Sequence, residues 1–555
     1  MFKVLVYNIL YMVDFRLFLV LCVILLLVIP IVLQYIYGWN VFFSINEKTY
    51  NISVYGFYLL GYVLLQFIFA GINNIKLQKS QSDTRRSAKI IKRTNVMVVG
   101  HKEDPEYFRM CLESVNTVTS NVVNLNKIFV IIDGMDSSDK YMVDIFHNVF
   151  DNSAKKIFHL QLSESSTPDE VLTLHMLDIK QNDIICISQA HGGKRCAMMT
   201  GFRITLLENV LFNTGIDTIF CTDSDTVITP ECITNMYGYF ESDKIGAVAG
   251  NLGIYNKYDS VVSFMSAIRY WYAFNMERAY QSFTGSVLCV SGPIGMYRMT
   301  DLERIIDKWS DQNFLGKQCT YGDDRHLTNQ ILGLEKNVIY VSNSYAETET
   351  PSSWYRFFKQ QTRWNKSAFR EFFWTIKILD KHSLFMTVDL VYVLVYPYIV
   401  MTYLMYILWY KTVFELGFYL SIVLLLGLIK SVYGTIMSGK YENMFYFTYV
   451  FMYVSTVFPS KIWALININD NSWGTSSRKI MSSDVSFDII VPFIWNCALI
   501  CGFAYNIWNS IRLGLNFTDY ILLIVVFTIL CLFLIVMYLY VNVKRNNRLQ
   551  TIKVE

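Results

Sequence analysis

Thr218–Ile219–Phe220–Cys221–Thr222–Asp223–Ser224–Asp225 decides the fold. The first five residues read as a buried strand, and two carboxylates two positions apart follow where that strand ends. The pattern recurs upstream. Val96–Val99 run into Gly100–His101–Lys102–Glu103, Ile128–Ile132 into Asp133–Gly134, and Ile184–Ile187 precede Gln189–Arg195. Helical patterns over Tyr107–Val115 and Cys196–Leu207 lie between these runs. Strand alternating with helix implies an α/β domain with a mostly parallel sheet, and such sheets bind ligands beyond the carboxyl ends of their strands. Those ends carry His101, Glu103, Asp133, Lys194, Asp223 and Asp225, so one site assembled from distant residues is expected.

Away from this segment the chain becomes oily. Of its 555 residues, 53% are hydrophobic and 17% charged, against about 45–50% and about 25% in soluble domains. Arg16 is followed by thirty uncharged residues up to Glu47, and Leu390–Tyr410, Ile489–Ser510 and Tyr520–Val543 are uncharged as well. Each meets the roughly 20 residues that cross a bilayer, which excludes a soluble enzyme. A pure channel or transporter is disfavoured because residues 76–383 are ordinary mixed sequence. The net charge, 48 − 45 = +3, gives no argument for nucleic acid. Eleven cysteines without a CxxC pair or zinc spacing read as reduced, cytosolic thiols. The first apolar block is too long for a cleavable signal peptide and lacks a small-residue cleavage site.

Membrane helices are expected near 17–38 and 54–73 (N-terminal segment 1–75). Lys76, Lys79, Arg85, Arg86, Lys89, Lys92 and Arg93 follow, which puts the next domain in the cytosol by the positive-inside rule. Two crossings return the N-terminus to that side, and the basic tail 544–555 reads as cytosolic too. The crossings after the domain must then be even in number, yet five apolar blocks lie near 385–410, 416–429, 443–460, 489–510 and 520–543. One should not cross. The third, ending in Pro459–Ser460–Lys461, is favoured as an interfacial or re-entrant helix, and the fourteen-residue second block is the other candidate. The division is therefore a cytosolic domain over 76–350, amphipathic interface helices over 351–383, two membrane helices over 384–440, an interfacial segment over 441–484 and two more membrane helices over 485–543, about six crossings in all.

The motifs suit nucleotide and metal chemistry. Asp223 and Asp225 are oxygen donors of the kind Mg²⁺ or Mn²⁺ take while sharing coordination with phosphates; a solvated turn is the plain alternative. In His191–Gly192–Gly193–Lys194–Arg195 two glycines let backbone approach a phosphate, or simply form a surface loop. Asp133–Gly134 suits a contact to uracil or ribose, or a turn. Gly322–Asp323–Asp324–Arg325 reads as an acid–base pair or as an acidic helix start. Gln360–Gln361–Thr362–Arg363–Trp364 reads either as membrane-interface anchors or as a stacking platform for a sugar.

Taken in order, Asp133–Gly134, Asp223–Ser224–Asp225, Gly322–Asp323–Asp324 and Gln360-x-x-Arg363–Trp364 resemble the processive, membrane-integrated family 2 glycosyltransferases. Ser291–Gly292–Pro293–Ile294–Gly295–Met296–Tyr297–Arg298, Tyr321–Asn329, Gln360–Trp364 with Lys366–Ser367, and Trp473–Lys479 narrow the resemblance to the hyaluronan synthases, over about residues 50–540. The resemblance implies a GT-A-type cytosolic domain under a transmembrane channel, joined by interfacial helices. It implies UDP-GlcNAc and UDP-GlcA as alternating donors, nascent hyaluronan and membrane lipids as partners, and Mg²⁺ or Mn²⁺ as cofactor. By motif, Asp133 and Lys194, with Glu103, hold the nucleotide, and Asp223 and Asp225 bind UDP and metal. Asp324 is the general base, with Asp323 beside it in the same triplet. Arg363 binds diphosphate, Trp364 with Gln360 floors the acceptor sugar, and Trp473, Gly474, Thr475 and Arg478 belong to a loop gating UDP. His101 departs from relatives that place an aromatic such as Tyr on the uracil. Cys289 either lines the acceptor site or is a small core thiol. The expected location is the plasma membrane with both termini cytosolic, and a monomer is compatible. The rivals are a chitin synthase-like enzyme, a transporter with a regulatory nucleotide-binding domain, and a lipid-linked glycosyltransferase making one transfer.

Overall fold

The computed structural model describes residues 40–45, 48–86, 93–120, 122, 125–151, 155–162, 183–471 and 487–554. The expected first membrane helix (17–38), Lys89, Lys92 and the expected gating segment Trp473–Lys479 lie outside the described residues.

Nine strands form the central sheet: β1 (Arg93–Gly100), β2 (Leu125–Asp133), β3 (Ile157–Leu162), β4 (Ile184–Gln189), β5 (Ile216–Asp223), β6 (Val227–Ile228), β7 (Ile245–Ile254), β8 (Gly295–Arg298) and β9 (Asn337–Thr348). Their order is β3-β4-β2-β1-β5-β8-β7-β9-β6. From β3 to β5 every pair is parallel, which matches runs such as Val96–Val98 and Ile184–Ile187 being buried on both faces. The sheet is mostly parallel, as expected, since β7 and β9 also pair in parallel; the exceptions are β8, wedged antiparallel between β5 and β7, and β6, antiparallel on β9.

The helices are α1 (Val54–Arg86), α2 (Pro105–Thr119), α3 (Lys140–Phe150), α4 (Lys194–Phe212), α5 (Val261–Tyr272), α6 (Met299–Ser310), α7 (Asp323–Gly333) and α8 (Trp354–Thr375). Two of them start on a glycine in the left-handed region. Gly193 (φ +87°) precedes α4 and Gly322 (φ +87°) precedes α7, a conformation other L-residues rarely adopt. These turns deliver Lys194 and Asp323–Asp324 into first helical turns.

Six helices among the described residues are long and apolar enough to cross a membrane. They are Leu60–Leu77 within α1, α9 (Leu384–Tyr410), α10 (Val413–Ser438), α11 (the run Tyr441–Ile466), α12 (Ile490–Arg512) and Phe517–Arg548 within α13 (Phe517–Val554). The second apolar block is thus 26 residues long, not fourteen. Thr412 and Glu415 form a capping box at its start, and the helix continues past Lys430.

Four of these helices run alternately. Asn506 of α12 donates to Ile407 O and Lys411 O, and Ser510 receives Val413 N, so α9, α10 and α12 share one end. At the opposite end Tyr272 of α5 donates to Lys430 O of α10, Lys359 faces Asp488 ahead of α12, and Arg548 of α13 faces Asp259. α11 behaves differently, because both its ends meet the sheet-bearing domain. Glu442 accepts from Lys257 Nζ (2.9 Å) and from Tyr258, while beyond the other end Asp470 accepts from Lys366 Nζ (2.9 Å) and Tyr321 OH (2.7 Å). Its path is irregular, with a 3₁₀ stretch over Tyr441–Thr448 and a π stretch over Tyr453–Val457. A third fixing joins the domain to two membrane helices: Asp389 of α9 accepts from Gln281 Nε2 (2.6 Å) and from Tyr62 OH of α1 (2.5 Å).

Candidate active site

The sheet's carboxyl edge brings the expected residues together. At the end of β2, Asp133 is buried and accepts four bonds. Gly192 N (2.9 Å) and Gln189 Nε2 (3.2 Å) reach Oδ1, while Gly193 N (2.8 Å) and His191 Nδ1 (2.8 Å) reach Oδ2. Its carboxylate therefore shapes the turn ahead of Lys194. His101 Nδ1 lies 2.6 Å from Asp133 O, and the His101 and His191 rings stack with centroids 4.1 Å apart. The pair offers a flat imidazole face where the sequence led us to look for one ring. One donor atom from each of His101, Asp133 and His191 lies within 4.8 Å of the others, as a metal site would require, but the Asp133 oxygens are already engaged by N–H donors.

Next along the edge, Lys194 and Asp223 form an ion pair. Burial pushes Asp223 up, Lys194 pulls it down, and Asp225 and Asp324 push it up again, leaving it above its usual range. Burial works against the Lys194 ammonium, but Asp223, with Asp324 and Asp323 behind it, holds it above its ordinary value. Carboxylates crowded in this way are oxygen donors suited to a divalent cation, so Asp223 and Asp225 fit a Mg²⁺ or Mn²⁺. Ser224 Oγ donates to Glu103 Oε2 (2.9 Å), which seats the Asp223–Ser224–Asp225 turn against the loop after β1. Gly292 lies over the ion pair; a Cβ there would sit 2.6 Å from Lys194 Nζ and 3.2 Å from Asp223 Oδ2, so a side chain at this position would press on that pair.

Asp324 and Cys289 meet, with Cys289 Sγ–H donating to Asp324 Oδ2 at 3.4 Å. Burial pushes the buried Cys289 thiol up to about 12, with the Asp324 charge adding to it. Thr328 Oγ1 donates to Asp324 O (2.6 Å) and accepts from Val290 N (2.9 Å), tying the first turn of α7 to the loop that carries Cys289. On α8, Gln360, Arg363, Trp364 and Ser367 fall at helical spacing on one face. Burial lowers the Arg363 guanidinium from its usual value against the pull of Asp324, Asp223 and Asp323, so Arg363 feels both the Asp223 turn and the α7 turn. Trp364 lies beside Tyr270, ring centroids 6.1 Å apart.

Asp323, expected beside Asp324 as a catalytic residue, has a buried carboxylate bound to Arg195 Nε at 2.6 Å. Sequence reasoning also passed over Arg195, Trp309, Gln312, His326 and Glu371, which surround that pair. The available signal was an arginine directly after Lys194.

A family model described as chitin synthase matches residues 197–487. Hyaluronan synthase 2 of Mus musculus and of Homo sapiens are each 35% identical to this chain over 495 residues, 87% of either length. Hyaluronan synthase 3 of Homo sapiens is 34% identical over 488 residues, 86% of either length. The solved mannosyltransferase from Pyrobaculum calidifontis, in complex with GDP-Man and Mn²⁺, aligns with a TM-score of 0.41 and 12% identity over 74% of this chain and 99% of its own, a likeness too distant to carry substrate or metal. Relatives matching so much of both lengths settle kinship: the chain is a membrane glycosyltransferase and belongs to the hyaluronan synthase family.

Proposed function

We propose that the protein adds N-acetylglucosamine and glucuronic acid alternately, from UDP-GlcNAc and UDP-GlcA, to a nascent hyaluronan that leaves between its own membrane helices. The observation that carries the reading is the Lys194–Asp223 pair sharing one sheet edge with Asp324 and Arg363. Lys194 and Arg363 neutralise the diphosphate as it departs. Asp324 takes the proton of the acceptor hydroxyl while that oxygen attacks the anomeric carbon. The bond to UDP breaks in the same displacement, and inversion gives β-linkages from α-linked donors. A Mg²⁺ or Mn²⁺ held by Asp223 and Asp225 supplies further charge neutralisation when bound. His101 and Glu103 frame the base pocket, with Asp133 shaping the turn that presents Lys194. Trp364, Gln360 and Cys289 receive the acceptor sugar, and Trp473, Gly474, Thr475 and Arg478 close over UDP.

The catalytic domain faces the cytosol in this reading, by the basic residues that follow the first two apolar segments. α11 lies along the lipid interface, a placement supported by the contacts of both its ends with the domain. Five described helices then cross, six with the helix expected near 17–38; both termini are cytosolic, and a plasma-membrane location lets product leave the cell.

The test is donor dependence in purified protein. Polymer that requires both UDP-GlcNAc and UDP-GlcA and is cut by hyaluronidase is the expected result. Polymer from UDP-GlcNAc alone would overturn it in favour of a chitin synthase-like activity, the reading to which the family match over 197–487 points.

A further inference from the structure

Behind the proposed reacting groups lies a buried polar cluster. Arg195, Asp323, Gln312, Glu371, Trp309 and His326 are all at most 6% exposed. Arg195 uses all three guanidinium nitrogens. Nε donates to Asp323 Oδ1 (2.6 Å), one terminal nitrogen to Trp309 O (3.2 Å) and the other to Gln312 Oε1 (2.7 Å). Trp309 Nε1 closes a ring by donating to Asp323 O (3.0 Å). Gln312 Nε2 passes the chain on to Glu371 Oε2 (3.1 Å), and His326 Nδ1 lies 3.1 Å from Glu371 Oε1.

The placement of these residues in the chain gives the cluster meaning. Arg195 follows Lys194 in the first turn of α4, Asp323 precedes Asp324 in the first turn of α7, and Glu371 lies on α8 two turns after Arg363–Trp364. Each motif-bearing helix therefore places at least one member in the same dry network, α7 placing both Asp323 and His326. The Lys194 turn is also held by Asp133 and the Asp324 turn by Thr328, but the Arg195–Asp323 pair is the contact that joins the two turns directly.

We propose that Arg195 and Asp323 are positioning residues whose buried pair fixes the spacing between the Lys194 turn and the Asp324 turn. The proposal rests on the roles given above to Lys194 and Asp324. A guanidinium is needed because three acceptors in three directions must be met at once, which an ammonium point charge cannot reproduce. Misplacement of a base by an ångström costs on the order of 10²-fold in rate without abolishing ligand binding.

The experiment uses the full-length enzyme in detergent or nanodiscs with Arg195→Lys, Asp323→Asn and the double variant, chosen because they keep volume and fold. Turnover, KM for each donor and the Kd of UDP are read for each. The expected result is kcat lowered by on the order of 10²-fold in either single variant, with the Kd of UDP within about three-fold. The double variant should be no worse than the poorer single one, as members of one pair are non-additive. Unchanged kcat overturns the proposal. So does a loss of UDP affinity in step with kcat, which marks a merely structural ion pair, or additive losses, which mark two residues acting independently. Asp324→Asn, run alongside, separates the two readings: if it makes polymer, the assignment of the base fails whatever Arg195 does.

Discussion

Cys289 offers a quantitative test of the electrostatics around the proposed base. Its thiol is pushed up to about 12 from an ordinary 9.0, by burial first and the Asp324 charge second. The thiolate is the reacting species in alkylation. At pH 7.5 a thiol at 9.0 is about 3% ionised, and one at about 12 roughly 0.003%, a ratio of about 10³. Cys289 should therefore react with iodoacetamide about a thousand-fold more slowly than an ordinary thiol, and more slowly than the exposed Cys196, whose own shift is also upward. The sign follows from the raised value: the rate should keep climbing tenfold per pH unit through pH 9 and 10, where an ordinary thiol has levelled off. Time-resolved alkylation read by peptide mass spectrometry measures this site by site. Asp324→Asn removes the second cause and leaves burial, so it should quicken Cys289 labelling without bringing it to the ordinary rate. Labelling of Cys289 ahead of Cys196 at pH 7.5, or a plateau near pH 9, would refute the placement of this thiol in a buried pocket beside a charged Asp324.

Three further outcomes are expected. Asp324→Asn should cut polymer formation by at least about 10³-fold while leaving the Kd of UDP within a few-fold, checked by radiolabel incorporation beside calorimetric titration. Trp364→Ala should raise the KM for an added oligosaccharide primer by about ten-fold, worth about 1.4 kcal/mol of lost stacking, with UDP affinity unmoved. Gly322→Ala forces a Cβ into the left-handed region and against the Ser367 side chain, so it should cost about 1–3 kcal/mol and lower the melting temperature of the purified enzyme.

Much of the fold was legible because parallel strands write themselves as uninterrupted apolar runs. Val96–Val99 and Ile184–Ile187 were placed within a few residues, and the polar clusters after them do share one edge. β8 was not legible. Four residues ending in Tyr297–Arg298 carry no direction, and only the neighbours β5 and β7 make them antiparallel. The uncharged stretch between Glu415 and Lys430 is shorter than the helix, because Glu415 caps the helix start and Lys430 lies near the polar boundary, where its carbonyl accepts from Tyr272 OH of α5. Charges at such edges bound the lipid region without ending the helix. In the site, local motifs revealed the groups that line the edge. The partner of Asp323 could not be read, because Arg195 lies 128 positions away and a buried arginine looks like any other in a list of letters.

α11 carries a mechanical consequence. Its two attachments, at Glu442 and beyond its far end at Asp470, leave the domain little more than a twist about the line between them. The Asp389–Gln281 contact resists that twist as well. If synthesis is repetitive, as proposed, a domain fastened at three places is expected to stay still while the product is the part that travels.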